Sequence, residues 1–208
     1  MKILLIGSTG FVGSALLKEA LHKGHEVTAV VRREGALQET AGLSVVPATI
    51  TSSEQVADLA RGHDVVIASV SARKPGDTPI PEVIQTVAAG AQQAGVKLFV
   101  VGGAGSLEVA PGVKLMDIPQ FPAEYKHEAQ QQGEALELLK STDHNWTYLS
   151  PAAIIAPGER TTQYRLGTDQ LLSDAAGNSN ISVEDYAHAV ISELEDPKHE
   201  RQRFTIAY

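Results

Sequence analysis

A glycine-rich turn at the seventh residue constrains the fold of this chain more than any other feature. Lys2–Ile6 is a short apolar run of the kind a strand buried on both faces needs, and Gly7-Ser8-Thr9-Gly10-Phe11-Val12-Gly13 follows it at once. Phe11 to Lys23 then shows helical spacing, with Phe11, Ala15, Leu16 and Ala20 on one face and Gly24 as a stop. In a strand–turn–helix unit each glycine has its own task. Gly7 permits the tight turn, Gly10 lets the backbone approach a pyrophosphate, and Gly13 lets the helix pack close to the sheet. The start of the helix offers unpaired N–H groups and the positive end of a dipole to phosphates. A GxxGxxG run in this setting points to dinucleotide binding by Gly7, Ser8, Thr9, Gly10, Phe11, Val12 and Gly13. The competing explanation is a turn that uses glycine for geometry alone.

The alternation continues down the chain. Strand-like runs at Glu26–Val31, Leu43–Val46, Asp64–Ser69 and Lys97–Val101 are interleaved with helical stretches at Ser53–Arg61 and Pro81–Ala94. This predicts parallel βαβ units with right-handed crossovers, hence an α/β, Rossmann-like doubly wound parallel sheet with helices on both faces. Beyond it the pattern loosens. Gly102–Pro122 holds four glycines and three prolines and reads as one long loop. Glu124–Lys140 is a helix, on which Gln130–Gln132 reads as a solvated face, and Trp146–Leu149 is a strand. Pro157–Asn180 reads as loop plus a small hairpin with arms Tyr164–Leu166 and Gln170–Leu172. Val183–Leu194 is a helix capped by Ser182, with Asp185 where a capping box carries its carboxylate, and Arg203–Ala207 is a last edge strand. Residues 1–208 are expected to form a single domain, with 151–182 supplying substrate-side loops and the C-terminal hairpin.

Charge and composition narrow the function. With 17 basic against 25 acidic residues the formal net charge is −8, which disfavours binding to a phosphate backbone, so no nucleic-acid partner is expected. There is no cysteine, which removes disulfides, thiol nucleophiles and thiolate metal sites. No apolar stretch approaches the ~20 residues that span a bilayer, and Ile3–Ile6 is too short for a signal sequence. The expectation is a soluble cytoplasmic protein without a membrane partner, monomeric or a homodimer. The histidines show no metal-ligand spacing, so no metal is expected, and there is no GxSxG nucleophile elbow.

The end of the second strand bears on the choice of dinucleotide. NAD-selective sites place a carboxylate there for the ribose 2′-hydroxyl. Here Arg32-Arg33 follows Val30-Val31, and a guanidinium suits a 2′-phosphate. NADPH is therefore expected over NADH, with Glu34 close enough to keep NADH open.

The stretch KILLIGSTGFVGSALLKEALHKGHEVTAVVRR, together with GHDVVIASVSA, LFVVGGAGSLEVAPG, NWTYLSPAAIIAPGERTTQYRLGTDQLL and ISVEDYAHAVISELEDP, resembles the atypical short-chain dehydrogenase/reductases over nearly the whole chain. The GGAGSLEV and SPAAIIAPGERT segments point to the branch labelled NADH-flavin reductases, relatives of biliverdin reductase B and NmrA-like proteins. The resemblance implies an NAD(P)-binding fold and reduction of a flavin, quinone or similar flat acceptor. Its cofactor contacts map onto Gly7–Gly13 and Arg32, with Ala68, Ser69 and Val70 beneath the nicotinamide ribose. Gly102 and Gly103 stand where relatives often carry a serine pair, and Pro151 and Ala152 border the nicotinamide. The superfamily's Tyr-x-x-x-Lys pair is incomplete: Tyr125 is in place, but Ala129 stands four residues on, and Lys126 points about 100° away around a helix. An untuned tyrosine is a poor base at neutral pH. Reversible alcohol oxidation and sugar-nucleotide epimerisation are accordingly disfavoured. A flavin or quinone needs mainly alignment, with Ser106 and Tyr125 as candidate hydrogen-bond donors to it. A regulator that senses NADP(H) without turnover, as NmrA-like proteins are thought to do, is the alternative.

Overall fold

The computed structural model describes residues 1–73 and 76–208. The chain runs β1 (Lys2–Ile6), α1 (Phe11–His22), β2 (Glu26–Val31), β3 (Leu43–Pro47), α2 (Ser53–Ala60), β4 (Val65–Ala68), α3 (Ile80–Ala94) and β5 (Lys97–Val101). It continues through β6 (Glu108–Ala110), β7 (Val113–Lys114), a 3-10 turn at Leu115–Asp117, α4 (Ala123–Lys140) and β8 (Trp146–Ser150). The last elements are β9 (Ile154–Ala156), β10 (Arg165–Gly167), β11 (Asn180–Ser182), α5 (Val183–Glu195) and β12 (Gln202–Ala207). Among the described residues, eight strands form one sheet in the order β10-β12-β8-β5-β4-β1-β2-β3. Its pairings are parallel except for β10 against β12.

Alternation along β1 builds two cores. Ile3 and Leu5 point to the layer of α1 and α5, where they meet Leu16, Tyr186 and Val190. Leu4 and Ile6 point to the opposite layer, where Val56, Ile84, Val87 and Leu136 come from α2, α3 and α4. This is why the run is apolar at consecutive positions, since both faces of the strand are covered. Full burial of each such side chain contributes ~1.5–3 kcal/mol. After β1 the chain builds β2 and β3 on one side, then crosses to β4 and builds outward on the other. The order of strands therefore reverses between β1 and β4, and a crevice opens outside their carboxyl ends.

The doubly wound parallel sheet matches the expectation; its C-terminal edge does not. The proposed hairpin between Tyr164–Leu166 and Gln170–Leu172 is not formed. Arg165–Gly167 instead pairs antiparallel with Thr205–Ala207, and Gln170 bridges to Glu108. Consequently β12 is not an edge strand: β10 covers one side of it and β8 the other. The long loop also has internal order, for β6 and β7 form a hairpin that Glu108 ties to the segment after β10 through Glu108 N–H to Asp169 O (2.8 Å) and Leu171 N–H to Glu108 O (2.8 Å). Ser182 caps α5 as expected, its Oγ accepting from Asp185 N–H at 3.0 Å. The reciprocal half of the capping box is missing, because the Asp185 carboxylate accepts from Thr161 Oγ1 (2.6 Å), Thr162 N–H (2.7 Å) and Tyr208 Oη (2.8 Å).

Candidate functional site

The turn after β1 is built by close approach. Gly7 has φ +88°, and a Cβ there would lie 1.8 Å from Ser69 O, so the turn and the end of β4 touch through backbone alone. A Cβ on Gly13 would lie 2.0 Å from Gly7 O, which seats the first turn of α1 directly on the loop. Gly10 differs, since its Cβ would meet only Gly7 O, at 3.3 Å. Its bare backbone borders a cleft. Gly10 is also the N-cap of α1 and supplies no side-chain cap, and no acidic residue occupies the first helical turn. By contrast, α2 and α5 are capped by Ser52 and Ser182. The N–H groups at the start of α1 thus keep their capacity for an outside acceptor, as a phosphate-binding helix start requires. The residues present fit a dinucleotide pyrophosphate.

The cleft has a volume of about 550 Å³ and lies at the carboxyl ends of β1, β4, β5 and β8. From the expected set it gathers Gly10, Phe11 and Val12 of the turn, Ser69 and Val70 after β4, and Gly102 and Gly103 after β5. Pro151 and Ala152 after β8 and Tyr125 of α4 complete that group. The other expected residues lie elsewhere. Gly7 and Gly13 hold the turn together, Ala68 is buried in β4, and Ser8 is buried with its Oγ donating to Val30 O at 3.4 Å. Thr9 is exposed beside the turn. Arg32 and Arg33 are exposed just beyond β2, outside the cleft, and neither guanidinium has a hydrogen-bond or ion-pair partner among the described residues.

Ser106 is not in the cleft wall. It is buried, and its Oγ accepts from Arg203 Nη1 at 3.0 Å while the same guanidinium holds Asp169 through Nε at 2.8 Å. This bridge fastens the loop after β5 to β12 and to the segment after β10.

Sequence reasoning missed Gln132. It belongs to the run read as a solvated face, yet Gln131 and Gln132 are buried, and Gln132 lines the cleft. Its Nε2 donates to Val70 O at 3.4 Å, and its backbone carbonyl accepts from Tyr148 Oη at 3.1 Å. Tyr148 Oη in turn accepts from Gly103 N–H at 3.1 Å, and the ring packs so tightly beneath Gly102 that a Cβ there would lie 2.0 Å from it. Burial pushes the Tyr148 phenol up to about 12, only partly offset by the Gly103 hydrogen bond, so it stays neutral. One chain of hydrogen bonds thereby joins the loops after β4 and β5 to α4 and β8. Gln131 serves α3 instead, its Oε1 accepting from Ile80 N–H at 2.7 Å.

Further cleft residues that gave no signal are Arg73, Glu128 and Ile154. Arg73 Nε donates to Glu128 Oε2 at 2.5 Å across the rim. On the β9 side, Ile154 and Ile155 line the cleft, and the loop that follows them is clamped to α1 and α5. Arg160 makes a two-pronged contact to the buried Glu19, Nε to Oε2 at 2.8 Å and Nη2 to Oε1 at 2.7 Å. Burial alone would raise the Glu19 pKa, but the hydrogen bonds and charge of Arg160 outweigh it and hold the carboxylate below its ordinary range. Thr162, at φ 61°, is kept in this uncommon conformation by Asp185.

A second cavity of about 540 Å³, bordered by Met1, Lys97, Glu193 and Glu200, opens at the amino ends of the strands. Ligands of open α/β sheets bind outside the carboxyl ends, where the turn and its free N–H groups are, so the first cleft is the candidate site. Among the described residues no helix is long and apolar enough to cross a membrane.

The family model described as NAD(P)H-binding matches residues 7–197. The chain is 41% identical over 214 residues to the uncharacterised protein YwnB of Bacillus subtilis strain 168, covering 99% of this chain and 98% of that one. Among solved structures, a Bacteroides thetaiotaomicron protein provisionally named an epimerase is 46% identical, with a TM-score of 0.91 over 100% of this chain and 96% of its own. A Streptococcus pneumoniae TIGR4 protein provisionally named an NADH-flavin reductase is 34% identical, with a TM-score of 0.88 over 100% and 99% of the two chains.

Proposed function

The chain belongs to the NAD(P)H-binding family, and from that premise we propose that it is a reductase that uses NADPH, or less well NADH, to reduce a flavin, quinone or similar flat acceptor. One observation carries this reading. The cleft sets an uncapped helix start beside the exposed apolar side chains of Phe11, Tyr125 and Ile154, with no Tyr-x-x-x-Lys pair in reach. When bound, the reduced dinucleotide supplies a hydride from its nicotinamide ring. Everything else falls to the chain. The N–H groups at the start of α1, with Gly10, hold the pyrophosphate, and Arg32 with Arg33 meets a 2′-phosphate. Ser69 and Val70 border the nicotinamide ribose, while Pro151 and Ala152 border the ring. Phe11, Tyr125 and Ile154 exclude water and align the acceptor plane, and the accompanying proton comes from solvent.

The epimerase name of the Bacteroides relative supports no second enzymatic reading, because Ala129 occupies the position of the lysine that would tune Tyr125. The engagement of Ser106, Tyr148 and Tyr186 hydroxyls by protein partners does favour one rival, an NADP(H) sensor without turnover. The test is absorbance at 340 nm with NADPH and NADH in parallel, adding FMN, riboflavin and a quinone in turn. Acceptor-dependent oxidation above the uncatalysed rate is expected. Tight NADPH binding by calorimetry with no turnover on any acceptor would replace the reductase with the sensor.

A further inference from the structure

We propose that Arg73 anchors an acidic tail on the acceptor, a phosphate or a carboxylate, so that the cleft selects flat acceptors that carry one; the proposal rests on the reductase reading above. Among the described residues, Arg73 and Glu128 are the only charged side chains lining the cleft. The rest of its wall is glycine, apolar side chains and neutral hydroxyl or amide groups. Such a wall accommodates a ring system, and apart from the N–H groups at the start of α1, which the pyrophosphate takes, its one cationic donor among the described residues is this guanidinium.

The pair is built asymmetrically. Glu128 is largely buried, with 14% of its side chain exposed, whereas Arg73 is 67% exposed. Only Nε of Arg73 is engaged, at 2.5 Å from Glu128 Oε2, and no other described residue bonds the guanidinium. A guanidinium carries five N–H donors, and the pair of terminal nitrogens forms the fork that takes carboxylate or phosphate oxygens two at a time. Glu128 therefore orients the arginine without consuming that fork. It also keeps its own carboxylate compensated, so an incoming acid meets a donor rather than a bare negative charge. The 2′-phosphate of NADPH does not need Arg73, because Arg32 and Arg33 stand beyond β2, outside this cleft. The acid most suited to Arg73 belongs to the second substrate.

FMN and riboflavin share one ring and differ in a terminal phosphate, which isolates the question. With saturating NADPH, kcat/KM is expected to favour FMN about tenfold, carried by KM and shrinking in high salt. Arg73→Met, which keeps the apolar stem, should bring the ratio near one. A ratio near one in the unmodified protein, a ratio that survives Arg73→Met, or an equal loss with both flavins would overturn the assignment. Flavin-fluorescence titration of the NADP⁺-loaded protein provides a reading that needs no turnover. If neither flavin nor a quinone is reduced, the reductase reading fails by itself. An FMN preference in Kd that Arg73→Met abolishes would still uphold the anchor, and equal Kd values or no binding of either flavin would refute it.

Discussion

Two alanine substitutions three residues apart should separate what the glycine turn does for folding from what it does for binding. At Gly13 a methyl group would lie 2.0 Å from Gly7 O and 2.8 Å from Gly7 C, both backbone atoms. The turn or the helix must retreat by roughly 1 Å to restore ordinary contact. Overpacking of that kind costs about 3 kcal/mol, which lowers Tm by roughly 6–12 °C for a domain of this size. At Gly10 the methyl would meet only Gly7 O, at 3.3 Å, and would otherwise enter the cleft. The folding cost there is that of alanine for glycine at an N-cap, under about 1 kcal/mol and so within roughly 4 °C. Binding should respond in the opposite order. NADPH at about 100 times its Kd stabilises a folded protein by ~2.7 kcal/mol, a rise of roughly 5–11 °C. Gly10→Ala should abolish most of that rise and weaken NADPH at least tenfold by calorimetry, because the methyl fills the space the pyrophosphate needs. Thermal denaturation with and without NADPH reads both effects at once. If Gly10→Ala kept the ligand-induced rise, the turn would not be the phosphate cradle. If Gly13→Ala were as stable as Gly10→Ala, the packing account of the turn would be wrong.

Arg32→Asp should weaken NADPH more than NADH in parallel calorimetric titrations, and equal loss for both would remove the 2′-phosphate assignment. Tyr125→Phe should change turnover by less than about threefold, since no lysine tunes the phenol; a loss of about 100-fold would make Tyr125 a proton donor. Ser106→Ala should lower Tm by a few degrees through the lost Arg203 contact, about 1 kcal/mol, while kcat holds. Arg160→Met strands a Glu19 side chain only 6% exposed, and because Arg160 itself is 35% exposed the cost is discounted to about 2 kcal/mol. The Glu19 pKa is depressed in the folded state, so the pair's contribution is complete above the ordinary value of 4.5 and disappears as pH falls through the folded value. The Tm gap between the two proteins should accordingly close in acid, and a gap independent of pH would show that Arg160 acts through packing alone.

The parts of this structure that the sequence makes legible are those whose physics is local. Gly7 to Gly13 announce a turn because tight geometry and close approach exclude side chains there, and Ser182 announces a cap because its hydroxyl reaches only three residues. The doubly wound sheet follows from short apolar runs and helical spacing in alternation. What stayed hidden depends on partners far along the chain. Arg165–Gly167 has no local reason to prefer Thr205–Ala207 over Gln170–Leu172. Gln131 and Gln132 look like a solvated face because an amide that serves a buried backbone group, such as Ile80 N–H, has the same polarity as one that faces water. Ser106 lies outside the cleft wall for a related reason. Its loop is glycine-rich and near the cleft, but Arg203, 97 residues later, turns the hydroxyl inward.

That inward turn bears on the chemistry as much as on the fold. Tyr148 donates to Gln132 O, Tyr186 donates to Leu149 O at 2.7 Å, and Ser106 accepts from Arg203, so three hydroxyls close to the cleft are committed to holding its walls. Burial raises the pKa of both tyrosines, which keeps them neutral and fixed in those roles. Of the hydroxyls that line the cleft, those of Tyr125, Ser69 and Ser71 keep no hydrogen-bond partner among the described residues. A site arranged this way spends its polar groups on rigidity. Rigidity is what a hydride transfer between two stacked planes requires, because the rate then depends on how closely and how parallel the planes are held. An alcohol or a sugar would need a proton moved in step with the hydride, and among the described residues of this cleft there is no lysine to prepare Tyr125 for that step. The proposed class of acceptor follows from that asymmetry: a molecule whose ring takes the hydride unaided and whose tail, at the rim, gives Arg73 something to hold.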